Sequence, residues 1–102
     1  MSITKQPLKS KPECKVKFIL SAEESGNAEK AFLVGEFNDW DENATPMKKQ
    51  KNGDFSVTLN LPTGVSYKFR YLADDTRWFN DPTADRYEYC PFAEGENAVL
   101  QL

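Results

Sequence analysis

Three stretches of this chain alternate apolar and polar residues with a period of two, and no stretch shows the 3.6-residue period of an amphipathic helix. In "CKVKFIL" the apolar set is Cys14, Val16, Phe18 and Leu20. "DFSVTLNL" puts Phe55, Val57, Leu59 and Leu61 on one side, with Ser56, Thr58 and Asn60 on the other. "VSYKFRYLA" sets Val65, Tyr67, Phe69 and Tyr71 against Ser66, Lys68, Arg70 and Leu72. Successive side chains of a strand point to opposite faces, so each segment has one face to bury and one to leave wet. A chain built this way needs a second sheet to cover the first.

The connections fit that plan. Gly26-Asn27, Asn52-Gly53, "PTG" and "DDTR" are turn signals, and Asn52-Gly53 predicts a tight hairpin because both residues tolerate positive φ. "AFLVGEF" reads as a further strand, another begins at Met47, and "NAVLQL" closes the chain as the last. "WFNDP" and the region through "ADRYEYCPF" read as loop. Residues 1–12 are polar and broken by Pro7 and Pro12, which predicts a flexible arm ahead of one domain over 13–102. The fold class expected is all-β, a single antiparallel β-sandwich.

Composition removes several kinds of function. A net charge of −3 argues against nucleic acid or an anionic membrane as partner. No apolar run approaches the roughly 20 residues of a membrane-spanning helix. The N-terminal stretch has no apolar signal-peptide core, so a cytoplasmic location is expected, with Cys14 and Cys90 as reduced, separate thiols. The chain contains no histidine. That takes away the usual general base, the usual zinc ligand and every Ser-His or Cys-His pair. Asp39-x-Asp41-x-Asn43 imitates the start of a calcium loop, but Ala44 stands where the bend needs glycine and Gln50 where the bidentate glutamate belongs. Asp39, Asp41, Glu42, Asp74, Asp75, Asp81 and Asp85 read as solvated turn residues. No catalytic residue, metal or cofactor is expected.

The two tryptophans are the better lead. Trp40 follows Asn38-Asp39, and Trp78 stands between Arg77 and "FNDP", both in polar surroundings. An indole in a wet setting suits the C–H faces of a sugar ring, and it suits a protein partner equally. Residue type alone leaves either of these open, along with a core cap. Lys68 and Arg70 project from the polar face of their strand, as an ordinary solvated face or as hydrogen-bond donors to a ligand.

The run "FLVGEFNDWDENATPMKK…GDFSVTLNLPTGVSYKFRYLADDTRWFNDP" resembles carbohydrate-binding module family 48. That family takes in the early-set domains of isoamylases and branching enzymes and the glycogen-binding domain of the AMP-activated protein kinase β subunit. "FNDW", "FRYL", "RWFNDPTADRY" and "ENAVLQL" are most similar to its small stand-alone bacterial members. The resemblance runs from about Cys14 to the C-terminus. It implies an immunoglobulin-like, early-set sandwich and a non-catalytic module for an α-1,4-glucan such as glycogen, starch or a maltooligosaccharide. It further implies that Trp40 and Trp78 pack on glucose rings and that Lys68 and Asn97 bond hydroxyls, with Arg70 as a helper. The other reading, of a different class, is a protein-interaction sandwich that docks an enzyme of glycogen metabolism. The turn Asp74-Asp75-Thr76-Arg77 is longer than the family's "DG" turn and lacks glycine, and "CPFAEGEN" also departs from the family pattern.

Overall fold

The computed structural model describes residues 2–74, 77–81, 83–90 and 95–102. Among them the chain forms β1 (Ser2–Pro7), β2 (Glu13–Leu20), β3 (Ala31–Gly35), a 3-10 turn (Glu36–Asn38), β4 (Lys48–Lys49), β5 (Phe55–Pro62), β6 (Ser66–Ala73), β7 (Arg77–Phe79), β8 (Arg86–Cys90) and β9 (Gly95–Gln101). One sheet runs β1-β2-β5-β4 and the other β3-β6-β9-β8. β7 pairs with β6 at Tyr71 to Ala73, beyond the part of β6 that pairs with β9. Every pairing is antiparallel. The result is an immunoglobulin-like β-sandwich. Its shortest dimension, 22 Å, is that of two stacked sheets with their side chains.

The core follows from the alternation. Cys14, Val16, Phe18 and Leu20 of β2 are buried, and Leu33, Phe69, Tyr71, Ala98 and Leu100 meet them from the other sheet. Phe69 lies edge-on to both Phe18 and Tyr71, with ring centroids 5.4 and 5.8 Å away. Such pairs add to plain area burial because ring edges carry positive charge and faces negative. Cys14 is a buried free thiol. The expectation for Cys90 lies outside the described side chains. No helix among the described residues is long and apolar enough to cross a membrane.

Four expectations are revised. The segment 2–7, expected as part of a flexible arm, is an edge strand paired along its length with β2, from Ser2↔Ile19 to Pro7↔Cys14. An edge strand needs only one neighbour, so polar residues serve there, and Pro7 is tolerated because, among the described residues, no strand lies beyond it. Trp78 and Phe79 of "WFNDP" belong to β7, and "ADRYEYCPF" contains β8. Finally, the Asn52-Gly53 hairpin is wider than a two-residue turn. The last β4–β5 pair is Lys49↔Phe55, and Gly53 has φ +92° while Asn52 does not enter the left-handed region. Asn52 instead accepts a hydrogen bond from the Asp54 N–H on its side-chain oxygen.

Candidate functional site

Filling the core with Phe69, Tyr71 and Ala73 leaves Lys68, Arg70 and Leu72 on the outer face of β6. By the same alternation Phe32 and Val34 of β3, Trp78 of β7, Glu88 of β8, and Asn97 and Val99 of β9 face outward with them. The ladders then line these residues up in rows roughly 7 Å apart, two residues along a strand. One row is Phe32, Leu72 and Trp78. The next pairs Val34 with Arg70 and Asn97 with Glu88, and the Arg70 Nε–H donates to Asn97 Oδ1 at 2.7 Å, joining the two pairs. The third is Lys68, Val99 and Arg86.

Trp78 is 44% exposed, while Leu72 opposite it is 1% exposed. The indole therefore stands on an apolar footing and keeps surface open to solvent. Around it the polar groups are tied together. A second nitrogen of Arg70 donates to the Glu96 carbonyl at 2.8 Å, and Lys68 Nζ lies 3.1 Å from the Glu88 carboxylate. The hydrogen bond from Lys68, with its charge and that of Arg86, holds the Glu88 carboxyl below its ordinary value. Glu88 went unnoticed in the sequence because its strand read as loop, although "RYEY" does alternate polar and aromatic residues.

Trp40 is placed by a separate device. Asn38 accepts a hydrogen bond from Gly35 N–H on Oδ1 and donates from Nδ2 to the Leu33 carbonyl and to Thr45 Oγ1, at 2.9–3.0 Å. Those bonds close the loop 35–45 on itself. Glu36 accepts the backbone N–H of Lys68 at 2.7 Å, which fixes the loop to β6. The chain then takes positive φ at both Asp39 (56°) and Trp40 (58°), and Trp40 emerges 39% exposed. A left-handed backbone is uncommon for a bulky residue and holds only where its surroundings over-determine it. Gly35 begins this device because a Cβ there would sit 2.5 Å from the Lys68 carbonyl oxygen.

Of the five residues singled out, Lys68, Arg70, Trp78 and Asn97 share one sheet face, and Trp40 stands beyond the end of β3. Asn97 differs from expectation in one respect: it is 7% exposed and its carbonyl is already engaged by Arg70. Asp81 differs from the solvated reading given to the acidic residues. It is fully buried, accepting from Tyr71 Oη at 2.7 Å and from the Thr83 N–H and hydroxyl. Burial and the adjacent carboxylate push the Tyr71 phenol far above its ordinary value, so it stays protonated and donates. Asp74 serves its turn, accepting from the Glu29 and Lys30 N–H groups. Asp75 and Thr76 of the long turn lie outside the described residues, as do 91–94.

Residues 10–92 match the family model for carbohydrate-binding module 48, the isoamylase N-terminal domain. Similar proteins include the 1,4-alpha-glucan branching enzyme GlgB of Butyrivibrio fibrisolvens, 43% identical over 70 residues covering 64% of this chain and 11% of that protein. The 1,4-alpha-glucan-branching enzyme of Saccharomyces cerevisiae is 46% identical over 59 residues, covering 56% and 8%. That of Nitrosomonas eutropha, again a GlgB, is 35% identical over 79 residues, covering 72% and 10%. The chain thus spans about a tenth of the length of these relatives.

Proposed function

The chain belongs to carbohydrate-binding module family 48, and from that membership we propose that it is a non-catalytic domain that binds an α-glucan of the glycogen or starch type. The observation that carries the reading is Trp78, a half-open indole on a sheet face where Lys68, Arg70 and Asn97 supply N–H groups. A flat apolar ring beside polar donors matches a glucose unit, which has apolar C–H faces and hydroxyls around its rim. Trp40, held on its pinned loop, supplies a second stacking surface. The relatives are named as 1,4-alpha-glucan branching enzymes, which is in keeping with this ligand class.

Each stacked ring is worth about 1 kcal/mol, and ordering the flexible sugar offsets part of that, so affinity for a short oligosaccharide falls between about micromolar and millimolar. Calorimetric titration with maltoheptaose, with tryptophan fluorescence in parallel, tests the reading. Saturable heat and a fluorescence change that weaken at least about fivefold in Trp78→Ala and in Trp40→Ala are expected, since 1 kcal/mol corresponds to roughly that factor. Absence of heat and of any fluorescence change at millimolar sugar would sink the proposal.

A further inference from the structure

β8 is an edge: among the described residues it pairs with β9 and with no strand on its other side. Half of its backbone N–H and C=O groups point away from β9, the pattern that invites another strand. Its inner side also bears Tyr87 and Tyr89, 39% and 72% exposed. A tyrosine that open in the middle of a strand has apolar surface with nothing over it.

We propose that a second copy of this chain pairs with β8, antiparallel, about a two-fold axis through Tyr87. The argument is charge complementarity. In an antiparallel pair the opposed side chains share a face, so an axis perpendicular to the sheet sets one residue against its own copy. Centring on Arg86 opposes two guanidinium groups, and centring on Glu88 opposes two carboxylates; like charges directly across are destabilising. Centring on Tyr87 opposes Arg86 to Glu88 of the other copy, twice by symmetry, and sets the tyrosines together. Tyr89 of each copy then lies diagonal to Tyr87 of the other, within reach for aromatic side chains. The strand "RYEY" is self-complementary in that one register and in no neighbouring one.

Pairing in this way joins the two β3-β6-β9-β8 sheets into one, with both outer faces on the same side. If the proposed function holds, two glucan faces lie side by side, and a long glucan engages both where a short one cannot. Dimerisation itself does not depend on that reading.

Sedimentation equilibrium of the whole chain without sugar tests it, using wild type, Arg86→Glu, Glu88→Arg and the double exchange Arg86→Glu/Glu88→Arg. Wild type approaches twice the monomer mass as concentration rises. Each single exchange opposes like charges and weakens the dimer at least tenfold, and the double exchange restores it to within about threefold of wild type. A wild type that stays monomeric up to millimolar concentration overturns the proposal. So does a dimer indifferent to the single exchanges, or one the double exchange leaves broken while circular dichroism shows a folded chain. Glucan titration of the same samples separates the two claims, since a dimer without glucan binding leaves this one standing.

Discussion

Asp81 and Tyr71 show how much one buried polar pair can organise. Asp81 stands three residues after Trp78, and its carboxylate is anchored to a core tyrosine of β6 and to Thr83. Tyr87 also donates to the Asp81 carbonyl, so the start of β8 hangs on the same point. A buried acceptor deprived of its donor bears the full desolvation cost of the group. Tyr71→Phe is therefore expected to lower stability by about 1–3 kcal/mol, read as the shift in a urea unfolding midpoint at constant slope. A change below about 0.5 kcal/mol would mean the Asp81 carboxylate finds water in place of the phenol. In the sequence this aspartate looked like any turn residue, because burial is a property of the surrounding fold and not of the dipeptide "DP".

At the scale of the element, the loop between β3 and β4 is governed by the side chain of Asn38. It substitutes for strand pairing at three backbone or side-chain groups that the departure from β3 leaves open. Asn38→Ala removes all three bonds, with an expected loss of about 1–3 kcal/mol and release of the left-handed backbone at Trp40. Unfolding by urea gives the first effect. The second is read as quenching of tryptophan fluorescence by acrylamide in a Trp78→Phe background, where Trp40 is the sole indole. Unchanged quenching would show that the turn holds its shape without Asn38. The motif "FNDW" was legible as a turn ending in tryptophan; which face the turn offers depended on contacts to Thr45 and Lys68 that lie 7 and 30 residues from Asn38.

For the molecule as a whole, the two sheets are also clasped at their margin. Lys5 Nζ of β1 bonds Asp85 at 2.6 Å and the Gln101 carbonyl at 3.1 Å, and Gln101 N–H donates to the same Asp85 carboxylate. Partial burial acts to raise the Asp85 carboxyl, but the Gln101 N–H and the Lys5 ammonium outweigh it and hold the group below its ordinary value. A depressed carboxyl contributes stability that is fully present above the unfolded value near 3.9 and is lost as pH falls through the lower folded value. Asp85→Asn should be less stable than wild type at pH 7 and should lose less on acidification from about pH 4.5 to 2.5. Parallel acid limbs for the two proteins would count against the clasp. Because the pair is about one-third exposed, solvent screens it, and raised salt shrinks the difference.

Local chemistry by itself determined the class of fold, since a period of two can be satisfied only by strands with one buried face. It determined which side chains fill the core from β2 and β5, and it marked both tryptophans, Lys68 and Arg70 as the residues to watch, while Asn97 came in through the family resemblance. Tertiary structure decided the rest. The polar segment 2–7 became a strand because β2 had an unpaired side to fill, and "RWF" and "RYEYC" became strands because β6 and β9 did. Pairing energy comes from the neighbour as much as from the strand, so short segments of weak propensity cannot be read alone. The same ladders brought Lys68, Arg70, Trp78 and Asn97 onto one face across three strands, and turned Asn97 toward Arg70. Register between distant strands is set by the packing of both sheets together, and a one-residue slip would have sent those side chains into the core.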